Sequence, residues 1–126
     1  MKTILIADDH EYLRFLVRTT LDRPDYRIIE AHDGESALRV AREEHPDLLI
    51  LDWMMPGMTG IDVLEALRED RETCGMPVIM LTAKAQAVDR NQAIMQGIRG
   101  YLTKPFSPLE LMGRVEKALT PLSELA

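Results

Sequence analysis

Cysteine is almost missing from this chain: Cys74 is the only one in 126 residues. No internal disulfide can form, and with no Cys or His at ligand spacing around it, Cys74 does not belong to a zinc site. It reads as a small residue in a polar loop. No apolar run approaches the length of a membrane span, and no leader-like segment precedes the first apolar stretch, so a soluble, cytoplasmic chain with no membrane partner is expected. Clustered basic residues are lacking too. With a formal net charge of −6, direct nucleic-acid binding by this chain is not expected, because neutralising phosphates takes a concentrated Lys/Arg face. Internal repeats, low-complexity tracts and interdomain linkers are also absent. A chain of this length makes one domain that buries its core without cross-links. The expected division is a domain over 1–120 and a short tail over 121–126, which opens with the helix-ending Pro121.

What is present is alternation. Apolar or β-branched runs bounded by polar or turn residues predict strands over Thr3 to Ala7, Tyr26 to Glu30, Leu48 to Leu51 and Val78 to Leu81, with a shorter fifth over Gly100 to Thr103. Between them the apolar residues recur at helical spacing, as in Leu13, Leu16, Val17, Thr20 and Leu21, or Leu111, Met112, Val115 and Leu119. Strand–helix alternation implies right-handed crossovers and a parallel sheet covered on both faces. The uninterrupted runs LLIL and VIML suit its buried interior. The expected fold class is α/β, a doubly wound five-stranded parallel sheet. The first helix should start near His10, the second near Gly34 and Ser36, and the last with Pro108 in its first turn. Gln86 to Gln96, whose apolar residues are few and small, should be the most weakly packed helix.

In such a sheet the loops at the C-terminal strand ends converge on one crevice, where ligands bind. Five polar residues are delivered there: Asp8 and Asp9 after the first strand, Asp52 ending the third, Thr82 ending the fourth, and Lys104 just after the fifth. Adjacent acids repel, and burial of either needs a partner, so ILIADDH at 4–10 asks for a cation. Magnesium is hard, prefers oxygen ligands and usually takes one or two carboxylates. A carboxylate is also a competent nucleophile toward phosphorus, and Asp52 is placed centrally enough to accept a phosphoryl group as an acyl phosphate. Lysine and a hydroxyl would hold the phosphoryl oxygens. Any one of these residues alone is more often a turn former, a cap or a solvated loop residue. Their convergence on one edge carries the reading.

ADDH at 7–10, LDWMMPGMTG at 51–60, MLTA at 80–83 and YLTKPF at 101–106 resemble the signature blocks of the response-regulator receiver domain of two-component signalling, and the resemblance covers essentially the whole chain. It implies a flavodoxin-like sheet of order 2-1-3-4-5 with five helices, like that of the chemotaxis regulators. Asp52 would be the phosphoacceptor, with Asp8, Asp9, Asp52 and the backbone carbonyl of Met54 holding Mg2+. Thr82 and Lys104 would contact the phosphate, and Thr82 with Tyr101 would form the switch, Tyr101 turning inward on phosphorylation to alter the face formed by the fourth helix, fifth strand and fifth helix. Lys104 to Pro105 would be a cis peptide. The implied partners are a sensor histidine kinase or phosphotransfer protein, a downstream effector or output domain, and a second copy in a phosphorylation-dependent homodimer. The resemblance implies no enzyme beyond its own phosphorylation and dephosphorylation.

The blocks are closest to receivers of the winged-helix transcription-factor subfamily, yet Arg99 and Gly100 stand where those usually carry two acids before the tyrosine. Arg114 matches a basic partner whose acidic mate is missing, so the charge pairs that tie together an activated dimer in that subfamily are incomplete in this chain. Two alternatives stay open. An aspartyl-phosphate phosphatase of related fold would want a general acid two residues after its nucleophile, where this chain has Met54. A flavodoxin-type binding module would want a glycine- or hydroxyl-rich phosphate loop after the first strand, where Asp8 and Asp9 would repel a phosphate. Trp53, next to Asp52, is expected at the rim of the crevice.

Overall fold

The computed structural model describes residues 1–120; the expected tail over 121–126 lies outside the described residues. Five strands, β1 (Lys2–Ala7), β2 (Tyr26–Ala31), β3 (Leu48–Leu51), β4 (Val78–Thr82) and β5 (Gly100–Thr103), alternate with α1 (Glu11–Thr20), α2 (Gly34–Glu44), α3 (Gly60–Glu69), α4 (Ala87–Ile94) and α5 (Pro108–Leu119). All neighbouring strands pair in parallel, and the sheet order is β2-β1-β3-β4-β5. The expected strands are all present, with β1, β2 and β4 each longer by one residue.

Strand alternation sorts the side chains into two cores. Ile4, Ile6, Leu48, Ile50, Ile79, Leu81 and Leu102 face α1 and α5, against Val17, Leu21, Leu111, Val115 and Ala118. Leu5, Ala7, Leu49, Leu51, Val78, Met80 and Tyr101 face α2, α3 and α4. The central strands β3 and β4 are buried along their whole length, which is why LLIL and VIML carry no alternation of polar and apolar residues.

Helix starts follow local chemistry. At α2 the Asp33 carboxylate accepts from the Ser36 amide at 2.7 Å while the Ser36 hydroxyl returns to the Asp33 backbone. Thr59 and Asp62 do the same at α3. Such reciprocal caps satisfy amides that the first turn leaves without partners. Ser107 caps α5, with Pro108 in its first turn. Helix α4 has no side-chain cap, and Ala93 is its only buried residue. Met95, just past its end, is 86% exposed. The weakest apolar pattern in the sequence thus makes the least anchored helix.

Candidate functional site

The strand order reverses direction between β1 and β3, and the crevice beyond their C-terminal ends is where an open α/β sheet receives a ligand. Asp8 leaves β1 and Asp52 leaves β3 on the two sides of that point, held level by the Asp52 amide, which donates to the Ala7 carbonyl at 2.9 Å. Both carboxylates are buried, at 4% and 3% exposure. The Lys104 ammonium spans them, with Nζ 2.8 Å from Asp8 Oδ2 and 3.1 Å from Asp52 Oδ2. Lys104 is carried there by a cis peptide to Pro105, as expected, and its amide donates to the Thr82 carbonyl at 2.8 Å, so β4 and the end of β5 fix its backbone together.

The remaining candidates lie around this pair. Thr82 is fully buried at the end of β4, its hydroxyl accepting from the Lys84 amide at 3.3 Å. Asp9 is exposed. The Met54 amide donates to Asp52 Oδ1 at 3.2 Å, and the Met54 side chain points outward. Asp52, Met54 and Lys104 border a cleft of about 660 Å³ that continues along Leu13 and Leu16 of α1 to Phe106. Tyr101 already lies inside: it is buried, and its hydroxyl donates to the Lys84 carbonyl at 2.6 Å.

Burial is the main influence on Asp52, pushing its carboxyl above the usual carboxylate range. Lys104 opposes that shift, while Asp8 adds to it. The site therefore holds more negative charge than one ammonium neutralises. Oxygen or nitrogen atoms of Asp8, Asp9, His10 and Asp52 all come within 4.8 Å of one another. Three hard carboxylates at that spacing fit a divalent cation of the magnesium kind.

Two parts of this neighbourhood escaped the sequence reading. His10 sits at the acid cluster, Nδ1 lying 3.2 Å from Oδ1 of both Asp8 and Asp9, and its only sequence signal was adjacency to the acids. Arg14 donates to the Asp8 carbonyl at 2.7 Å and pairs with Glu30 on β2, a link that only the α1–β1–β2 packing creates. The expectation for Trp53 is corrected. It is buried, 6% exposed, in the core facing α2, α3 and α4. The reason is strand alternation: Leu49 and Leu51 face that layer, and Trp53 continues the same parity beyond the strand end. The Lys84 ammonium covers its ring at 5.2 Å.

Fold and site together define a doubly wound α/β domain with an acidic, lysine-bridged crevice at its topological switch point. The chain belongs to the response regulator receiver domain family, whose model matches residues 4–116; members of this family are the receiving modules of two-component signalling. Among curated relatives, the phosphate regulon transcriptional regulatory protein PhoB of Pseudomonas aeruginosa is 41% identical over 118 residues, covering 94% of this chain and 52% of that protein. The alkaline phosphatase synthesis transcriptional regulatory protein PhoP of Bacillus subtilis is 43% identical over 125 residues, covering 99% and 51%. This chain thus spans about half the length of these relatives. Among solved structures, the Vibrio cholerae chemotaxis protein CheY4 superposes with a TM-score of 0.86 at 31% identity, covering 94% of this chain and 98% of that one. The expected fold, sheet order and family are thereby established, and the phosphatase and flavodoxin alternatives fall away.

Proposed function

We propose that residues 1–120 act as one phosphoacceptor unit, with Asp52 receiving a phosphoryl group from the phosphohistidine of a sensor kinase or phosphotransfer protein. A carboxylate oxygen of Asp52 attacks phosphorus, the phosphorus–nitrogen bond breaks with its electron pair returning to the imidazole, and an acyl phosphate forms. The observation that carries this reading is the Lys104 bridge between Asp8 and Asp52, a cation already poised at the carboxylate that would accept charge. Lys104 Nζ moves from the two carboxylates onto the new phosphoryl oxygens, and the Thr82 hydroxyl takes another of them. Magnesium held by Asp8, Asp9, Asp52 and the Met54 carbonyl would supply further positive charge toward those oxygens.

Readout follows from Thr82. Its hydroxyl is engaged with the Lys84 amide, and Tyr101 is tied to the Lys84 carbonyl, so drawing Thr82 toward a phosphate disturbs the segment that anchors Tyr101. The change reaches the face formed by α4, β5 and α5. An output domain or a separate effector protein reads that face, and the names of the relatives make a transcriptional output the first choice. The chain is a signalling switch whose only chemistry is on itself, working in the cytoplasm; among the described residues no helix is long and apolar enough to cross a membrane.

Incubation with acetyl phosphate and magnesium, followed by intact mass measurement, should add one phosphoryl group to the wild-type chain and none to Asp52→Asn. EDTA or Asp9→Ala should remove the labelling. Unchanged labelling of Asp52→Asn would place the phosphoacceptor elsewhere.

A further inference from the structure

His10 stands in the N-cap place of α1, yet its side chain makes no capping hydrogen bond. It turns instead to the acids, with Nδ1 lying 3.2 Å from Asp8 Oδ1 and 3.2 Å from Asp9 Oδ1. The backbone fixes it there: the His10 amide donates to Asp8 Oδ1 at 2.9 Å, and its carbonyl accepts from the Arg14 amide at 3.1 Å. Lys104 takes the other oxygens, Asp8 Oδ2 at 2.8 Å and Asp52 Oδ2 at 3.1 Å, so Asp8 Oδ1 is left facing the imidazole. Among the described residues His32 has a single carboxylate near it, Asp33 at 3.4 Å; His10 has two.

These separations match the edges of a coordination sphere. In an octahedron with bonds of about 2.1 Å, donors at neighbouring corners lie roughly 3 Å apart and those at opposite corners about 4.2 Å. Donor atoms of Asp8, Asp9, His10 and Asp52 all fall within 4.8 Å of one another, so small side-chain turns bring the four onto one ion. Carboxylates alone suit Mg2+, which holds oxygen donors and keeps its waters. Imidazole suits first-row transition ions, and the affinity of a mixed nitrogen and oxygen site rises from Mn2+ through Fe2+ and Co2+ to Ni2+. The nitrogen therefore changes which ion the donor set prefers.

We propose that His10 is a ligand of this site through Nδ1, and that the site favours a first-row transition ion of the Fe2+ or Co2+ kind over Mg2+. Coordination uses the tautomer with its proton on Nε2, and the side chain, 68% exposed, gives that N–H to water. Lys104 stays on the Oδ2 atoms and does not compete for the same lone pairs. Even with the Met54 carbonyl as a further donor, a six-coordinate ion keeps a place for a phosphoryl oxygen, so the added ligand leaves room for the chemistry at Asp52. The inference rests on the metal-holding role given above to Asp8, Asp9 and Asp52, and adds to it a ligand and a class of ion.

The test is calorimetric titration of the full chain with Co2+ and with Mg2+, joined to cobalt X-ray absorption, in which a bound imidazole gives outer-shell scattering that carboxylates and water do not. Wild type should bind Co2+ more tightly than Mg2+ and show imidazole scattering. His10→Ala should lose that scattering and lower the ratio of Co2+ to Mg2+ affinity by about tenfold or more, at least what loss of an outer-shell partner costs. Asp9→Ala should weaken both ions. If circular dichroism shows His10→Ala unfolded, His10→Gln decides. Imidazole scattering that persists in a folded His10 variant, or an unchanged affinity ratio, would overturn the proposal. Co2+ bound to wild type without imidazole scattering, and weakened by Asp9→Ala, removes the His10 ligand and leaves the metal-holding role of the acids. Failure of wild type to bind either ion removes both. Intact mass after acetyl phosphate reads the Asp52 assignment separately.

Discussion

Asp52 is ionised at a cost to the fold. Burial raises its carboxyl pKa above the value it has in the unfolded chain, Asp8 contributes in the same direction, and Lys104 only partly offsets them. The folded state therefore holds this proton to higher pH than the unfolded state does. No penalty exists below the unfolded pKa; stability falls as pH rises through the window up to the folded pKa, and the loss persists above it. Asp52→Asn keeps an oxygen for Lys104 and removes the charge. It should be more stable than wild type at neutral pH by about 1 kcal/mol, and the difference should shrink toward zero below the unfolded carboxylate range. Thermal unfolding of both proteins across the acid range checks this. A wild type as stable as the variant at neutral pH would mean that the Lys104 pair outweighs desolvation. This strain makes chemical sense, since a carboxylate with surplus negative charge around it favours arrival of a cation.

At the scale of the element, α3 is built against the proposed phosphoacceptor loop through its first residue. The Gly60 amide donates to the Trp53 carbonyl at 2.9 Å, and a side-chain carbon on Gly60 would press on the Asp52 carbonyl and the Trp53 backbone. Backbone cannot give way as a flexible side chain can. Gly60→Ala should destabilise by about 1–3 kcal/mol, the range for overpacking, and slow phosphoryl labelling because the loop carrying Asp52 must shift. Gly113, within α5, has nothing near its missing side chain. Gly113→Ala should instead stabilise by about 0.5–1 kcal/mol through helix propensity and leave labelling alone. Urea titrations with parallel mass measurements separate the two; equal effects would show that α3 is not seated on the loop as described.

Across the whole molecule, Arg68 ties parts that are far apart in sequence. From the end of α3 its guanidinium donates to the carbonyls of Gln96 at 2.6 Å, Met76 at 2.9 Å, Cys74 at 3.0 Å and Gly97 at 3.4 Å. It thereby joins the entry to β4 with the turn that follows α4, the helix with least burial of its own. Arg68→Met keeps much of the stem and removes the donors. It should cost about 2 kcal/mol, as expected for several lost charged hydrogen bonds to partly buried carbonyls, and should speed amide exchange in α4 and β5 more than in β1 and β2. Uniform acceleration would mean that α4 is held by its own packing. Because α4 and β5 carry the proposed output face, this link also sets how freely that face moves.

Alternation of apolar runs with helical periods was enough to predict all five strands, the weakness of α4 and the start of α5, because those features depend on local pattern and burial. The polar residues at the strand ends were legible for the same reason: a parallel sheet sends them all to one edge. The family blocks added the sheet order, since nothing local distinguishes β2-β1-β3 from other permutations. Tertiary structure alone decided the rest. Lys104 reaches Asp8 across 96 positions of chain, and Arg68 gathers carbonyls from two loops; such pairings depend on which backbones packing brings together, and no spacing encodes them. Trp53 was misplaced by treating it as a loop residue, although the parity of β3 carries it into the core. Arg90, Arg99 and Arg114 show the same division: Arg99 and Gly100 in place of two acids were visible in sequence, but only the packing of α4 and α5 against β5 decided that three guanidiniums line one depression.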